Sequence, residues 1–449
     1  MAGQQGNSTK QLDQVLGFWD LMGSAVGQII GAGIMSLMPA AIAMTGRSVP
    51  ISFLIAAFIT CANAIPYIFI CSCVRLRGGA YTQIALLAGK TFAGMQVITK
   101  IIGNMSLAMY GLSLASYLCA LFGWAASLEK WVGLAILTVF FILNLIGLDI
   151  FAKVQNSMVV ILICSLIMFG VAGIGKVNWD TYFVDDGYLM MNGILGMCQA
   201  AGLLTFATGG ATVIVSFSAE AKNPTRDIPL VIIISTLFVA VLYGVLSFVA
   251  AGVLPVSVVG GENLTMVAKT ILSKPLYVIF IIGGAGGALA STLNNQMATS
   301  PKPIMQMCDD GWLPQSFAAL NKKKVPWKIQ TMFYLVGVIC CVSGLSISIL
   351  GNMSLILSGI TGVIVAISTS RIPKLLPEAW AKSKFHVSDG VLKMFCGIAL
   401  VASLFSTYMN ASSIDIKLVI LNGVFLVIAI IFGVVKGKSV HMDISYEEA

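Results

Sequence analysis

The sequence predicts an all-α polytopic membrane protein of twelve transmembrane helices, with helices 1 and 6 discontinuous. Three observations lead there. The 449 residues are 58% hydrophobic and 10% charged, against roughly 25% charged residues in a soluble domain. Apolar runs recur along the whole chain, each near the ~20 residues that cross a bilayer as a helix. Two of these runs are interrupted at mid-length by closely spaced glycines.

The spans fall at residues 16–44, 48–73, 93–123, 131–149, 151–174, 193–217, 228–254, 272–300, 329–350, 352–370, 391–409 and 417–435. Residues 1–15, MAGQQGNSTKQLDQV, lack the basic, apolar and small-residue succession of a cleaved signal, so the first helix is expected to stay. An even number of crossings places both termini on one side, and basic residues choose that side. With a cytoplasmic N-terminus, the cytoplasmic segments hold 19 Lys and Arg, and the opposite loops hold 6 (Arg47, Lys130, Lys176, Lys269, Lys274 and Lys417). Both termini are therefore expected in the cytoplasm, with the chain multi-pass in the cell (plasma) membrane. The same bias accounts for the net charge of +8 without a nucleic-acid partner.

Cofactor chemistry finds little support. Of the ten cysteines, Cys61, Cys119, Cys164, Cys198, Cys340 and Cys341 sit inside apolar spans, and none forms a CxxC pair. His386 and His441 lie in polar segments without a second ligand nearby, so no metal and no cofactor are expected. The absence of a GxxxxGK motif argues against a nucleotide-driven pump. An enzyme would show paired carboxylates, a Ser/His or Cys/His set, or metal ligands within the spans, and none is visible.

The first interrupted span reads GQIIGAGIMSLMP, with Gly27, Gly31, Gly33 and Pro39. Gly27-x-x-x-Gly31 matches the small-xxx-small spacing of close helix packing. The same glycines also suit an unwound segment, because they tolerate backbone angles that other residues resist. A break frees N–H groups, which hydrocarbon tolerates only where they line a cavity or meet a ligand. The sixth span, LLTFATGGATVIVSFSAEAKNPTRDIP, places Gly209-Gly210 at mid-depth between Thr208 and Thr212. Breaks five helices apart are what a five-plus-five inverted repeat sets face to face around a substrate site.

Gly31-Ala32-Gly33-Ile34 followed by Pro39 resembles the first-helix motif of the amino acid/polyamine/organocation (APC) superfamily of transporters. Arg77-Gly78-Gly79-Ala80-Tyr81 is similar to their GG-x-Y element, and Glu220 to Pro229, EAKNPTRDIP, to their most characteristic cytoplasmic loop. Asp309-Asp310-Gly311-Trp312-Leu313-Pro314 and the run from Asn321 to Pro326 look like the segments that follow their eighth helix. The nearest likeness is to the twelve-helix exchangers of basic amino acids and their amines and to light-subunit-type exchangers. The resemblance implies a leucine-transporter-type fold with alternating access. It divides the chain into an N-terminal tail at 1–15, a ten-helix transport core at 16–372, a cytoplasmic loop at 373–390, two peripheral helices at 391–436 and a tail at 437–449.

It also implies the site. The substrate carboxylate is expected on backbone N–H groups of Gly31, Ala32, Gly33 and Ile34, and the amino group on carbonyls of Ile29, Ile30, Phe206, Ala207 and Gly209, with Thr208 beside them. Phe206 falls where the family has an aromatic gate over the substrate. Thr212 stands where the diamine exchangers carry a glutamate, and Ala211 replaces a Trp of the light-subunit type. A dicationic substrate thus loses a partner for its second charge.

The segment GMQVITKIIGNMSLAMYGLSLASYL resembles the third helix of the basic amino acid exchangers, with Ile102-Gly103-Asn104 on their I-G-N. Lys100 and Asn104 then fall among positions lining the side-chain pocket. A lysine at mid-membrane costs ~2.5–3.5 kcal/mol on insertion scales and marks a function, whereas a late helix start would let it snorkel to an interface. In the pocket it would repel cationic side chains and favour neutral polar or acidic ones. The eighth span adds Ser291, Thr292, Asn294, Asn295 and Gln296, polar groups expected to avoid lipid. Asn295 and Gln296 are the expected side-chain contacts, with Ser358 and Thr361 of the tenth span as further candidates.

Some family members carry a coupling lysine seven residues after a Gln matching Gln155; here that position is Leu162. Exchange needs no coupling ion, so antiport is the simplest expectation, with proton- or sodium-coupled uptake as the alternative. A sodium ion between first-helix carbonyls and Ser291 or Thr292 stays open. Amino acid and lipid bilayer are the expected partners, and nothing decides between a monomer and a homodimer.

Overall fold

A computed structural model describes residues 8–184, 186–260, 264–344, 347–412, 415–440, 442 and 446–448. Among these residues, eight helical stretches are long and apolar enough to cross a membrane, and the shorter apolar helices Trp327–Val342 and Ile356–Thr369 accompany them. This is a multi-pass helical membrane protein. His441 lies outside the described residues.

The first apolar run folds as two helices, α1 (Phe18–Ile29) and α2 (Ala32–Thr45), separated by Ile30 and Gly31. Pro39 sits inside α2 without ending it. Next come α3 (Val49–Cys73) and the short α4 (Ala80–Leu87). The third run also divides, into α5 (Lys90–Gly103) and α6 (Ser106–Phe122), a break that the sequence reading did not place. Asn104 caps α5 by donating its Nδ2 to the Lys100 carbonyl at 2.8 Å, so its side chain terminates the first half. α7 (Glu129–Leu145) and α8 (Leu148–Ile174) are parted by Gly147, whose φ of +131° lies where L-residues with a side chain rarely go.

α9 (Gly193–Thr208) ends at Gly209, and the rest of the sixth run, Ala211–Phe217, winds as a tighter 3₁₀ helix. α10 (Pro224–Val253) begins on the proline of the KNP motif, where a missing N–H is no loss. The eighth run opens with Lys274–Ile279, widens to a π-helix at Phe280–Gly286, and continues as α11 (Gly287–Thr299) and α12 (Pro301–Asp309). A Cβ on Gly283 in the widened turn would collide with Ser165 of α8, which shows how tightly the two helices lie. The remaining long helices are α13 (Trp327–Val342), α14 (Ile347–Thr369), α15 (Asp389–Ser412) and α16 (Ile416–Gly437). Between α14 and α15 the polar loop carries two short helices, Ile372–Leu375 and Pro377–Lys382.

α1 is the hub, packed against α8, α10 and α11, while α3 runs along α10 and α9. α15 lies on α14 and α3, and α16 on α5. Glycine permits that last contact, since a Cβ on Gly94 of α5 would lie 2.5 Å from the Gly433 Cα of α16. α16 has a mean hydropathy of 3.0 over its most apolar window yet is only 17% buried there, so its bare face is suited to lipid. Tyr446–Glu448 pairs antiparallel with Val74–Leu76, the strand that follows α3.

Candidate functional site

The site starts from two places where the backbone leaves helical geometry. At the end of α1, Ile30 (φ −81°, ψ 82°) and Gly31 (φ −118°, ψ −150°) turn the chain. The Ile30 N–H closes the last turn onto Val26 at 2.8 Å, and the Gly31 N–H reaches back only to Ile29 at 3.0 Å. α2 therefore begins afresh, and the N–H groups of Ala32, Gly33 and Ile34 have no acceptor within the helix. At the end of α9, the Gly209 N–H closes onto the Thr205 carbonyl at 3.0 Å. The carbonyls of Phe206, Ala207 and Thr208 are left as its open end. Gly210 then takes φ +122°, and a Cβ there would lie 3.0 Å from the Gln28 side chain and 3.1 Å from its carbonyl oxygen. Only glycine fits both the angle and the space.

The two breaks press together. A Cβ on Gly33 would lie 2.7 Å from the Ala207 Cα. The N-terminal, positive end of α2 thus lies beside the C-terminal, negative end of α9. Such a pairing suits a ligand bearing a carboxylate and an ammonium side by side.

Both breaks open on one cavity of about 410 Å³, within the ~300–1,000 Å³ of ligand pockets. Of the residues singled out from the sequence, Ile29, Gly31, Gly33, Lys100, Phe206, Gly209, Gly210, Ala211, Thr212, Thr292, Gln296 and Ser358 line it, as does Thr361. Lys100 is half-buried and, among the described residues, is the only charged one lining the cavity. A smaller cavity of about 100 Å³ is lined by Asn104 and by Lys100, Gln296 and Ser358, which border both.

The other expected residues do different work. Ile30, Ile34 and Ala207 are buried core side chains, so any part they play in recognition is through the backbone. Thr208 is buried with its hydroxyl on Thr60 at 2.8 Å. Asn295 donates to Gln28 Oε1 at 2.8 Å and accepts from the Ser24 hydroxyl, tying α11 to α1. Ser291 and Thr292 both donate to the Gly27 carbonyl, at 3.1 and 2.9 Å. Gly27 itself meets Gln155 and Val159 of α8, so this glycine serves close packing while Gly31 and Gly33 serve the break. Leu162 is buried beside Gly287 of α11.

The sequence reading missed part of the wall. Thr60, Asn63 and Tyr67 of α3 and Ser403, Ser406 and Asn410 of α15 also line the cavity. Their signal was a polar i, i+3, i+7 stripe in two apolar helices.

One buried ion pair and a set of hydrogen bonds hold the segment from Ser8 to Leu16 and the EAKNP segment against the end of the bundle. Lys302 Nζ meets Glu220 Oε1 at 2.5 Å with both side chains buried. Burial pushes the Glu220 carboxyl above its usual value, and Lys302 partly offsets this. Leu16 pairs with the EAKNP segment through its N–H to Glu220 (3.0 Å) and its carbonyl from Lys222 (2.9 Å). Ser8 and Thr9 are gathered onto the Asp309 carboxylate, with the Ser8 hydroxyl at 2.8 Å.

This arrangement meets a family assignment over nearly the same length. The amino acid permease family profile matches residues 16–409. The chain belongs to the amino acid permease family. It is 27% identical over 342 residues to the vacuolar cationic amino acid transporter 4 of Arabidopsis thaliana, covering 71% of this chain and 56% of that one. It is 26% identical over 423 residues to the branched-chain amino acid permease of Bacillus subtilis, covering 86% and 87%. The Lactococcus lactis branched-chain amino acid permease is 25% identical over 438 residues, covering 89% and 93%. The chain spans little more than half the length of the plant relatives it matches, 53% to 56%. The family is one of permeases and not of enzymes.

Proposed function

We propose that this permease moves amino acids across the cell membrane by alternating access, exchanging neutral polar or acidic amino acids. The observation that supports it is the meeting of the α2 N–H end with the α9 carbonyl end on one cavity whose only charged lining residue, among the described residues, is Lys100. The N–H groups of Ala32, Gly33 and Ile34 take the carboxylate, joined by that of Gly31 if it leaves the Ile29 carbonyl, and the carbonyls of Ile29, Ile30 and Phe206 to Gly209 take the ammonium. Phe206 covers the bound substrate. Lys100 repels cationic side chains, so the substrate differs from the one in the plant relatives' name. Thr212, Gln296 and Ser358 offer hydrogen bonds to a polar side chain.

The frame is a leucine-transporter-type fold of twelve membrane helices. Residues 16–372 form the five-plus-five inverted repeat, and 391–436 add two helices outside the repeat, of which α15 reaches the cavity. The basic residues place both termini in the cytoplasm. Counterflow in proteoliposomes tests exchange. Vesicles loaded with an unlabelled amino acid should take up labelled serine or aspartate many times faster than empty ones, with no sodium or proton gradient. Uptake that needs a gradient and ignores the internal amino acid overturns exchange.

A second reading, ion-coupled uptake, is favoured by one feature. The Ser291 and Thr292 hydroxyls converge on the Gly27 carbonyl at the first break, a set of oxygen donors of the type hard cations use. A sodium-gradient arm in the same assay separates the two readings.

A further inference from the structure

We propose that α15 and α3 together form a substrate subsite for uncharged, hydrogen-bonding side chains such as an amide or hydroxyl; this rests on the amino acid reading above. α15 carries Ser403, Ser406 and Asn410, and α3 carries Thr60, Asn63 and Tyr67, each set at i, i+3 and i+7 and hence on one face of its helix. All six line the cavity that holds both helix breaks. Polar groups on a lipid-facing surface would be costly, so their inward position keeps an otherwise apolar helix satisfied.

The wall is joined both to itself and to the break. The Ser403 hydroxyl donates to Asn63 Oδ1 at 2.9 Å, linking α15 to α3. Thr60 shares a hydrogen bond of 2.8 Å with Thr208, the last residue of α9 before the Gly209-Gly210 break. Glycines seat α15 against the cavity. A Cβ on Gly362 of α14 would lie 3.1 Å from Ser403 Oγ, and one on Gly359 would collide with Thr407. α15 is therefore a wall of the chamber rather than an accessory to it.

Its chemistry selects the ligand. The six side chains are hydroxyls, amides and a phenol, with no formal charge, so they complement neutral donors and acceptors. Lys100 on α5 remains the place for an anionic group. A small side chain such as that of alanine would not reach the wall and would be recognised by the backbone alone.

The test compares labelled alanine and labelled glutamine in proteoliposomes of wild type, Asn410→Leu and Ser406→Val. Loss of one neutral hydrogen bond should raise KM for glutamine roughly 5- to 10-fold, with KM for alanine within about twofold. Equal changes for both amino acids, or none for either, overturn the subsite. Wild-type vesicles that transport alanine but not glutamine overturn it as well. Wild-type vesicles that transport no amino acid overturn the amino acid reading itself, a distinct outcome. Should the larger variants fail to reach the membrane, Ser406→Cys decides. Its alkylation by a thiol reagent, above the background of the ten native cysteines, should be slowed by glutamine and not by alanine. Indifference to glutamine overturns the proposal.

Discussion

Gly33 and Ala207 touch backbone to backbone: a Cβ added at Gly33 would sit 2.7 Å from the Ala207 Cα and 2.8 Å from its Cβ. The contact joins the two helix breaks, so the smallest side chain must push them apart. Gly33→Ala should lower thermal stability in detergent by ~1–3 kcal/mol, the usual cost of overpacking, and remove most transport. Gly397→Ala on α15 is the control, since nothing lies within 4 Å of its Cβ position. That variant should be neutral or slightly stabilising. Equal behaviour of the two variants would show that the breaks tolerate separation.

Lys100 sets the charge of the cavity. Lys100→Met keeps the length of the side chain and removes the ammonium. We expect KM for aspartate to rise about tenfold or more, the scale of one charge-assisted hydrogen bond at ~1.5–3 kcal/mol, while KM for alanine changes little. Competition of unlabelled aspartate, alanine and lysine against labelled serine measures this directly. A selectivity order unchanged in Lys100→Met would remove Lys100 from substrate recognition.

Ser291 and Thr292 share one acceptor across the helices, the Gly27 carbonyl, and each also reaches the Ala288 carbonyl of its own helix, at 3.0 and 2.9 Å. Removing either hydroxyl alone leaves the other in place, so Ser291→Ala and Thr292→Val should each cost little, ~0.5–1.5 kcal/mol. The double variant leaves a buried carbonyl unsatisfied and should cost more than the two single values added. Strict additivity in thermal unfolding would mean that the carbonyl finds another donor.

Much of the frame was legible because lipid allows few choices. A run of ~20 apolar residues must be helical, and glycines at its middle mark where the helix fails. Which face a polar residue occupies was not legible. Asn295 and Gln296 are neighbours in sequence, about 100° apart around α11; Gln296 lines the cavity, whereas Asn295 fastens α1 through Gln28 and Ser24. Gly27 and Gly31 share a motif, yet the first meets α8 and the second faces Thr292. Only the packing of distant helices decides such cases. The break at Asn104 escaped notice for a related reason: its signal is a side chain capping its own helix, in a stretch that otherwise reads as continuous. The polar stripe of α15 was present in the sequence but lay in a helix expected to be peripheral.

Arg47 and Asp186 give a pH dependence. The Asp186 carboxyl is held below its usual value, chiefly by the Tyr188 N–H donating at 3.0 Å and further by Arg47, which also donates to the Val184 carbonyl. A carboxyl with a depressed folded-state value stabilises the fold above its unfolded value, ~3.9, and loses that contribution as pH falls toward the folded value. The Tm of wild type should therefore drop below about pH 4, and Asp186→Asn should flatten part of that drop. An identical acid limb in the variant would discount the contact.

Glu220 and Lys302 provide the sharpest test of how the EAKNP segment is fixed. Their side chains are 3% and 6% exposed and lie 2.5 Å apart. A charge left alone at such a site costs ~3–5 kcal/mol, whereas replacing a buried pair by apolar groups of similar volume is often neutral. Lys302→Met should accordingly lower the Tm sharply, because Glu220 is then buried without its cation. It should recover as pH falls, since protonation removes the stranded charge and burial already favours the neutral acid. Lys302→Met combined with Glu220→Leu should regain most of the lost stability at neutral pH. If the double variant unfolds as readily as Lys302→Met, the loss comes from packing around the lysine stem and not from the unpaired carboxylate.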